Sequence, residues 1–245
     1  MLFDLSGRRA LVTGAGQNVG AGIAMALAQQ GAFVAVTDLH ASRAEQVAAQ
    51  IVASGGQAVG LPLDVTDLGS VTGALSQCDP VDILVNNAGI PEGAMTLTPF
   101  RAMEPPAWDA AIRVNLYGVL HCCHAVVNGM CERGWGRIIT ISSGAGTRGV
   151  DIGVSPYSAG KGGGIAFTRT LALEVARSGV TANTLALGVI GTLATEVNQH
   201  LSRSIPVGRT GTPADVAAAC VWLASDEASW VTGQTIEING GALTT

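Results

Sequence analysis

The sequence has little charge and only one lysine. Charged residues make up 13% of its 245 residues, and Lys161 is the single lysine among 13 basic residues, so arginine supplies all the others. The net charge at pH 7 is −5, and no basic run occurs. Because nucleic-acid-binding proteins usually present a cluster or stripe of basic side chains, the sequence predicts no nucleic-acid partner.

Long apolar runs are also absent. No uninterrupted apolar stretch approaches the roughly 20 residues that cross a bilayer, and the opening MLFDLSGRRALVTG has charges where a signal peptide has its apolar core. Hydrophobic residues nevertheless make up 48% of the chain, which is enough to bury a large core and argues against disorder. These features predict a folded, soluble, cytoplasmic protein with no membrane partner.

The cysteines lack the spacing of a metal site. There are five of them, and no pair has a C-x-x-C spacing, so they are interpreted as reduced and mostly buried thiols. The HCCH stretch at 121–124 places two histidines on one helix face. A structural zinc site needs four convergent ligands, whereas adjacent residues on a helix point about 100° apart. The sequence therefore predicts no metal site.

Short apolar runs alternate with longer helical patterns along the whole chain. The predicted strands are 8–15, 33–38, 58–65, 81–89, 136–143, 180–187 and 234–240, and the predicted helices are 19–31, 42–56, 67–77, 105–131, 155–177 and 213–225. Strands that are apolar on both faces suit a parallel sheet covered by helices on both sides. The fold class is therefore α/β: a Rossmann-like, doubly wound, parallel, seven-stranded sheet in a single domain covering residues 1–245.

A glycine-rich turn follows the first predicted strand. Gly14, Gly16 and Gly20 open the next helix, an arrangement that lets a pyrophosphate approach the main chain and the helix N-terminus. Asp38 ends the second strand, where a carboxylate can bind both hydroxyls of an adenosine ribose and repel a 2′-phosphate. Residues 37, 39 and 40 include no lysine or arginine, so NAD is favoured over NADP. Alternatively, Asp38 caps the following turn.

These motifs and several others together resemble the short-chain dehydrogenase/reductase family, in particular its 3-oxoacyl-[acyl-carrier-protein] reductase-like subgroup. The resemblance extends from RALVTGAG near the N-terminus to VTGQTIEINGG near the C-terminus. Two positions depart from the family motifs, because Asn18 replaces a glycine and Leu187 replaces a proline. The cofactor-binding residues that the resemblance implies are Gly14, Gln17, Asn18, Val19, Gly20, Asp38, Leu39, Asp64, Val65, Asn87, Ala88, Gly89, Tyr157, Lys161, Gly188, Ile190 and Thr192.

The resemblance also implies four catalytic residues, Asn115, Ser143, Tyr157 and Lys161. Residues four apart share one helix face, so Tyr157 and Lys161 are expected to point the same way. A free tyrosine has a pKa near 10, and a nearby ammonium is expected to lower it. Lysine suits this position better than arginine because its charge is compact and fits two vicinal ribose hydroxyls.

The predicted function is NAD-dependent interconversion of a secondary alcohol and a ketone. Two alternatives remain open: an NADPH-dependent 3-oxoacyl-[acyl-carrier-protein] reductase, and a non-catalytic dinucleotide-binding regulator. Substrate contacts are expected in 91–105, 144–156 and 189–205, the last of these being a possible lid. The three glycines after Lys161 predict close packing of their helix against a neighbour and a second copy of the chain. Similarity to the family implies a homotetramer or homodimer.

Overall fold

The computed structural model describes residues 2–89, 97–191 and 202–244, apart from the side chain of Ala107. Seven parallel strands form one sheet in the order β3-β2-β1-β4-β5-β6-β7. The strands are β1 (Arg9–Val12), β2 (Phe33–Asp38), β3 (Gln57–Pro62), β4 (Ile83–Asn86), β5 (Gly136–Ser143), β6 (Val180–Leu187) and β7 (Thr235–Ile238). The predicted fold class is confirmed, since each predicted strand overlaps one of these seven, and only β3 begins before its predicted start, by one residue.

Helices connect the strands. They are α1 (Asn18–Gln29), α2 (Ala41–Ala53), α3 (Leu68–Leu75), α4 (Pro105–Ile112), α5 (Gly118–Arg133), α6 (Gly144–Thr147), α7 (Ser155–Val175) and α8 (Pro213–Ala224). The predicted helix 105–131 consists of α4 and α5 joined by a π-helical turn, Arg113–Tyr117. The short helix α6 was not predicted, because its four residues, GAGT, are too few to show a helical period.

Alternating strand residues supply two hydrophobic clusters, one on each face of the sheet. Val12, Val36 and Ile139 lie in the cluster that packs against α1, α2 and α8. Leu11 and Ile138 point the other way, into the cluster that packs against α3, α5 and α7. Because successive residues of a strand face opposite sides, burial on both faces explains why the strands are apolar almost throughout.

One helical stretch among the described residues, Trp108–Arg133, is long and apolar enough by length and composition to cross a membrane. Its inner face includes Val119, Cys122 and Met130, which are buried in the hydrophobic cluster beneath the sheet. The core helix of a protein that does not enter a membrane meets the same criterion, and this packing accounts for its apolar character.

The chain changes direction across the sheet between β1 and β4. β1 has β2 on one side and β4 on the other, so the connections leaving their carboxyl ends diverge and open a crevice. In doubly wound sheets, ligands bind at this position. The topology therefore predicts a ligand-binding site at the carboxyl ends of the strands.

Candidate active site

A cleft of about 400 Å³ lies at the carboxyl ends of the strands. Every predicted cofactor-binding residue that the structure describes lines it; the remaining one, Thr192, lies outside the described residues. Ser143, Tyr157 and Lys161 line the same cleft, whereas Asn115 is buried behind its wall. These predicted residues therefore lie around one cleft, although they are far apart along the chain.

Hydrogen bonds fasten the floor of the cleft. The Asn87 side-chain amide donates to the carbonyl oxygens of Thr13 and Gly14, at 2.9 Å each. The Thr13 hydroxyl oxygen accepts from the backbone amides of Asn87 and Ala88, at 3.0 and 3.1 Å. The ends of β1 and β4 are therefore held together next to the glycine turn.

Backbone geometry explains the residues of the glycine turn. Gly14 has φ +59°, and a Cβ on Gly20 would collide with the Gly14 carbonyl oxygen and the Asn87 amide. Asn18, which replaces a family glycine, has φ +49°. Asparagine tolerates this left-handed conformation better than most other residues that carry a side chain, so the departure preserves the turn. The amide groups at the start of α1 remain available to an anion.

Asp38 lies at the opposite end of the cleft from Tyr157, with both carboxylate oxygens fixed. One oxygen accepts from the backbone amide of Gly16 at 3.1 Å, and the other accepts from that of His40 at 3.0 Å. The side chain is 7% exposed. The carboxylate is therefore oriented by the backbone before any ligand arrives.

Arg43 lines the same end of the cleft and was missed by the sequence reasoning. A Cβ on Gly16 would lie 2.6 Å from the Arg43 Cβ and 2.8 Å from an Asp38 carboxylate oxygen. Residues 37–40 include no lysine or arginine, but the first turn of α2 carries Arg43 back to the cleft. The helical pattern that follows Asp38, α2, is the signal that could have placed Arg43 at the cleft.

Tyr157 and Lys161 face the cleft from the first turns of α7. The Lys161 ammonium lies 5.8 Å from the centre of the Tyr157 ring and donates to the Ile141 carbonyl oxygen at 2.8 Å. Burial lowers the pKa of Lys161 to about 8, because a buried site disfavours the charged amine. The lysine therefore remains mostly charged at pH 7.

The predicted lowering of the Tyr157 pKa is wrong for this structure. Burial raises the pKa of the Tyr157 phenol, and a side-chain hydrogen bond with Ser143 only partly opposes that effect. The Lys161 ammonium lies near the ring rather than bonding to the hydroxyl, so desolvation of the phenolate dominates. Tyr157 is accordingly a neutral hydrogen-bond donor at pH 7.

Asn115 lies in the π-helical turn, behind Gly89. Its side-chain nitrogen donates to the Ala111 carbonyl oxygen at 2.9 Å, while its buried Oδ1 has no hydrogen-bond partner among the described residues. A Cβ on Gly89 would lie 2.7 Å from the Lys161 ammonium and 3.2 Å from that Oδ1. The Lys161 ammonium and the unpaired amide oxygen of Asn115 thus both lie close to Gly89.

The exit of β6 remains ordered without the family proline. Leu187 still pairs within the sheet, and the Gly188 amide donates to the Ile238 carbonyl oxygen at 2.9 Å. Ile190 then pairs with Gly211 in an isolated parallel bridge. The chain therefore passes along the cleft from Leu187 to Ile190 in a defined direction.

Several lining residues were absent from the sequence-based set. Besides Arg43 they are His40, Leu63, Val114, Ile141, Ser142 and Leu187. All but Arg43 are next or next but one to a predicted site residue, so the path of the chain next to those residues brings them to the cleft. Arg148 and Asp151, the charged residues of the expected substrate segment 144–156, are exposed and do not line the cleft. Parts of the expected substrate segments, residues 91–96 and 192–201, lie outside the described residues.

The HCCH stretch does not bring its four side chains together. Cys122 and Cys123 are buried, His124 is exposed, and the His121 Nδ1 lies 2.9 Å from the Val65 carbonyl oxygen. Burial raises the pKa of Cys123 to about 12, so this thiol stays protonated. Within the described ranges, no group of three or more His, Cys, Asp and Glu side chains could hold a metal ion.

The sheet, the glycine turn and the cleft define a dinucleotide-binding oxidoreductase fold. A family model described as Enoyl-(Acyl carrier protein) reductase matches residues 14–243. The 3-oxoacyl-[acyl-carrier-protein] reductase of Vibrio harveyi is 38% identical over 98% of each chain. The chain belongs to the short-chain dehydrogenase/reductase family and is an oxidoreductase that acts on CH–OH and keto groups.

Solved structures show the same similarity. A 3-oxoacyl-[acyl-carrier protein] reductase with bound NAD from Brucella melitensis has a TM-score of 0.93 and 34% identity, covering 99% of this chain and 94% of that one. A gluconate 5-dehydrogenase from Burkholderia cenocepacia in complex with NADP and tartrate has a TM-score of 0.90 and 34% identity, covering 98% and 96%. Proteins with this fold and similar identity thus bind either dinucleotide.

Proposed function

We propose that this protein is an NAD-dependent oxidoreductase that interconverts a secondary alcohol and a ketone by hydride transfer. One observation carries the proposal. A single cleft has Tyr157, Lys161 and Ser143 at one end and the fixed carboxylate of Asp38 at the other. These are the groups that a nicotinamide dinucleotide needs at its two ends.

The residues of the cleft fit an extended dinucleotide. The turn from Gly14 to Gly20 and the start of α1 bind the pyrophosphate, because their amide groups and the helix dipole favour an anion. Asp38 binds the adenosine ribose, Lys161 binds the nicotinamide ribose, and the remaining contacts line the path between them. These contacts are Asp64 and Val65 near the adenine, Asn87, Ala88 and Gly89 along the floor, and Gly188 and Ile190 near the nicotinamide. Thr192, which lies outside the described residues, is a further contact that similarity to the family implies.

Tyr157 is the acid in the direction of ketone reduction. The bound dinucleotide supplies the hydride that reaches the carbonyl carbon. Tyr157 donates its phenolic proton to the carbonyl oxygen, and its raised pKa keeps that proton in place at pH 7. Ser143 donates a hydrogen bond to the same oxygen as negative charge develops there. In alcohol oxidation, the phenolate form of Tyr157 takes the hydroxyl proton, and the hydride that leaves the carbon goes to the oxidised dinucleotide.

Lys161 and Asn115 support the proton transfer. The Lys161 ammonium is buried near the ring of Tyr157 and stabilises the phenolate when it forms. The unpaired Oδ1 of Asn115 lies beside the same ammonium across Gly89. We assign Asn115 the role of holding a water molecule that links Lys161 to solvent.

A second candidate function is reduction of a 3-oxoacyl thioester with NADPH. The names of the Vibrio harveyi and Brucella melitensis relatives favour it. The carboxylate of Asp38 argues for NAD instead, since it would repel a 2′-phosphate. A non-catalytic regulatory role is disfavoured because Asn115, Ser143, Tyr157 and Lys161 are all retained.

The substitution Tyr157→Phe tests the assignment of the acid. We expect it to lower kcat at least about 100-fold, because general acid catalysis contributes that much or more, while NAD binding followed by calorimetry stays within about twofold. Tyr117→Phe is the matched control, because Tyr117 is the only other tyrosine and is 51% exposed. Turnover of the Tyr157→Phe variant at a rate near that of the wild type would show that another group supplies the proton.

A substrate panel separates the two candidate functions. Secondary alcohols, simple ketones and a 3-oxoacyl thioester are each assayed with NAD(H) and NADP(H), following the absorbance of the reduced nicotinamide. We expect faster turnover with NAD(H) on a secondary alcohol or ketone. Preference for the thioester with NADPH supports the reductase alternative, and no turnover with any member of a broad panel supports a regulatory role.

A further inference from the structure

The HCCH stretch lies in α5, and two of its side chains contact segments that line the cleft. The His121 Nδ1 lies 2.9 Å from the Val65 carbonyl oxygen. The Sγ of Cys123 accepts a hydrogen bond at 3.3 Å from the side-chain nitrogen of Asn86, which precedes Asn87 at the cleft floor. His121 and Cys123 do not line the cleft themselves, so any effect that they have on a ligand passes through these neighbours.

The segment after β3 is a tight turn at the end of the cleft where the adenine is proposed to bind. The Asp64 amide donates to the Ser70 hydroxyl oxygen at 3.0 Å, and the Asp64 carbonyl oxygen accepts from the Asp67 amide at 3.2 Å. One carboxylate oxygen of Asp64 accepts from the amide and the hydroxyl of Thr66, at 2.9 and 2.8 Å. These bonds all lie within residues 64–70, so they fix the shape of the turn and leave its distance from α5 to other contacts.

Helix α5 contacts this turn at Val65. Gly118 and His121 are three residues apart on α5 and therefore share one face of the helix. A Cβ on Gly118 would lie 2.7 Å from a Val65 methyl carbon, so the helix and Val65 are in close contact. Val65 is 7% exposed, and a buried carbonyl group needs a hydrogen-bond donor. His121 supplies that donor as Nδ1–H, because a carbonyl oxygen can only accept.

We propose that His121 is a positioning residue for the adenine end of the cleft. Its Nδ1–H holds the Val65 carbonyl, and through it the turn that presents Asp64 and Val65 to the adenine. A turn that is held in place before the ligand arrives binds it more tightly, because less conformational freedom is lost on binding. This inference rests on the proposed dinucleotide function of the cleft. It gives the HCCH stretch a role other than metal binding.

Two substitutions of His121 separate the hydrogen bond from the bulk of the side chain. His121→Leu removes the donor and keeps a large side chain, whereas His121→Asn keeps an N–H donor at the δ position. We expect His121→Leu to raise the dissociation constant of adenosine 5′-monophosphate about three- to tenfold, the effect of one lost hydrogen bond. His121→Asn should stay within about twofold of the wild type. Calorimetry measures both, and His124→Leu is the matched control, because His124 is exposed on the same helix.

A second ligand shows whether the effect is confined to one end of the cleft. Nicotinamide mononucleotide has no adenine, and its dissociation constant should change less than about twofold in His121→Leu. In turnover assays, KM for NAD should rise while kcat stays within about twofold, because Tyr157 and Lys161 lie at the other end. A general loss of structure would lower kcat and weaken both mononucleotides alike, and that result would overturn the proposal.

Two further results would also overturn it. One is unchanged binding of adenosine 5′-monophosphate in His121→Leu, and the other is an equal loss in His121→Leu and His121→Asn, because the donor would then not be the cause.

The wild-type protein distinguishes this inference from the proposed function. Binding of both mononucleotides by the wild type, with no response to His121→Leu, would overturn only the role of His121. Binding of neither mononucleotide and no binding of NAD would overturn the dinucleotide cleft itself, and the role of His121 with it.

Discussion

Lys161 combines a buried position with a positive charge, and that combination has a thermodynamic consequence. The side chain is 6% exposed, and burial lowers its pKa to about 8. In the unfolded chain an ordinary lysine has a pKa near 10.4. Between pH 8 and about pH 10.4, the unfolded chain binds more protons than the folded chain. The contribution of Lys161 to the free energy of unfolding therefore rises with pH across this range.

Replacing Lys161 with methionine should therefore separate stability from activity. We expect Lys161→Met to leave the free energy of unfolding unchanged or to raise it by about 1–4 kcal/mol at pH 7, because apolar replacements of buried ions often have that effect. Turnover should fall sharply, because the phenolate loses its nearby cation. Urea unfolding and kcat are the measurements.

The pH dependence of stability provides a control for the Lys161→Met substitution. The stability difference between Lys161→Met and the wild type should be largest below about pH 8 and narrow as the pH rises toward about 10, as the wild-type amine loses its proton. A difference that stays constant over this range would mean that Lys161 has the same pKa in the folded and unfolded states, so that burial does not shift it.

The raised pKa of Tyr157 predicts different pH profiles for the two reaction directions. We expect kcat/KM for ketone reduction to be nearly flat from about pH 6 to about pH 7.5, because over this range the phenol keeps its proton and Lys161, with a pKa of about 8, stays mostly charged. For alcohol oxidation, kcat/KM should climb over the same range, since the phenolate becomes more populated. Initial rates in both directions test this, and a flat oxidation profile would contradict it.

The position of α7 depends on several glycines. A Cβ on Gly160 would lie 2.8 Å from the Asn115 Cβ, one on Gly163 would lie 3.2 Å from a Leu116 methyl, and one on Gly162 would lie 3.3 Å from the Gly146 carbonyl oxygen. These contacts lie within one chain, so α7 packs closely on the π-helical turn and on α6. The contact with a second copy that the glycine run also predicted stays a prediction.

Gly160→Ala should destabilise the protein although alanine favours a helix. Its Cβ would displace Asn115, and the variant should therefore lose both stability and turnover. Gly73→Ala in α3 is the matched control, because a Cβ there has nothing within 4 Å. That variant should gain up to about 1 kcal/mol. Thermal unfolding measures both, and a gain in stability for Gly160→Ala would contradict the packing argument.

The sequence predicted helices and strands better than it predicted their irregularities. Each strand was located, and in the central strands β1, β2, β4, β5 and β6 burial on both faces leaves a continuous apolar run. The π-helical turn at Arg113–Tyr117 was missed, since one widened turn barely disturbs the pattern of a long helix. Arg43 was missed because its distance from Asp38 along the chain conceals their proximity. The direction in which the pKa of Tyr157 shifts depends on burial, and a sequence motif does not reveal burial.

The cleft gathers residues from almost the full width of the sheet. Its walls include Asp38 at the end of β2, Asn87 after β4, Ser143 at the end of β5 and Gly188 after β6. A dinucleotide bound there contacts parts of the chain that are separated by well over 100 residues. Only the folded molecule has this site, so ligand binding and global stability are linked.

NAD should therefore stabilise the whole molecule. At a free concentration of 100 times its dissociation constant, the unfolding free energy should rise by about 2.7 kcal/mol. For a chain of this size, that corresponds to an increase in Tm of roughly 5–10 °C. Differential scanning fluorimetry across a series of NAD concentrations measures the shift, with adenosine as a control that lacks the pyrophosphate. A Tm independent of NAD would contradict the proposed cleft.

The expected homotetramer or homodimer is a separate prediction about the whole molecule. It comes from similarity to the family, and solution scattering tests it directly by giving the mass. A monomer mass would remove the expectation of contact between copies. It would not affect the roles proposed for Tyr157 and Lys161, because both act within one chain.

The hydrogen bonds that join the ends of β1 and β4 separate the floor of the cleft from the loops at its rim. Because the Thr13 hydroxyl and the Asn87 amide join the two strand ends beneath the cleft, loops farther out can be exchanged without releasing that floor. Grafting rim segments from a paralogue should redirect which molecule is oxidised or reduced, while the proton donor and its lysine are inherited unchanged.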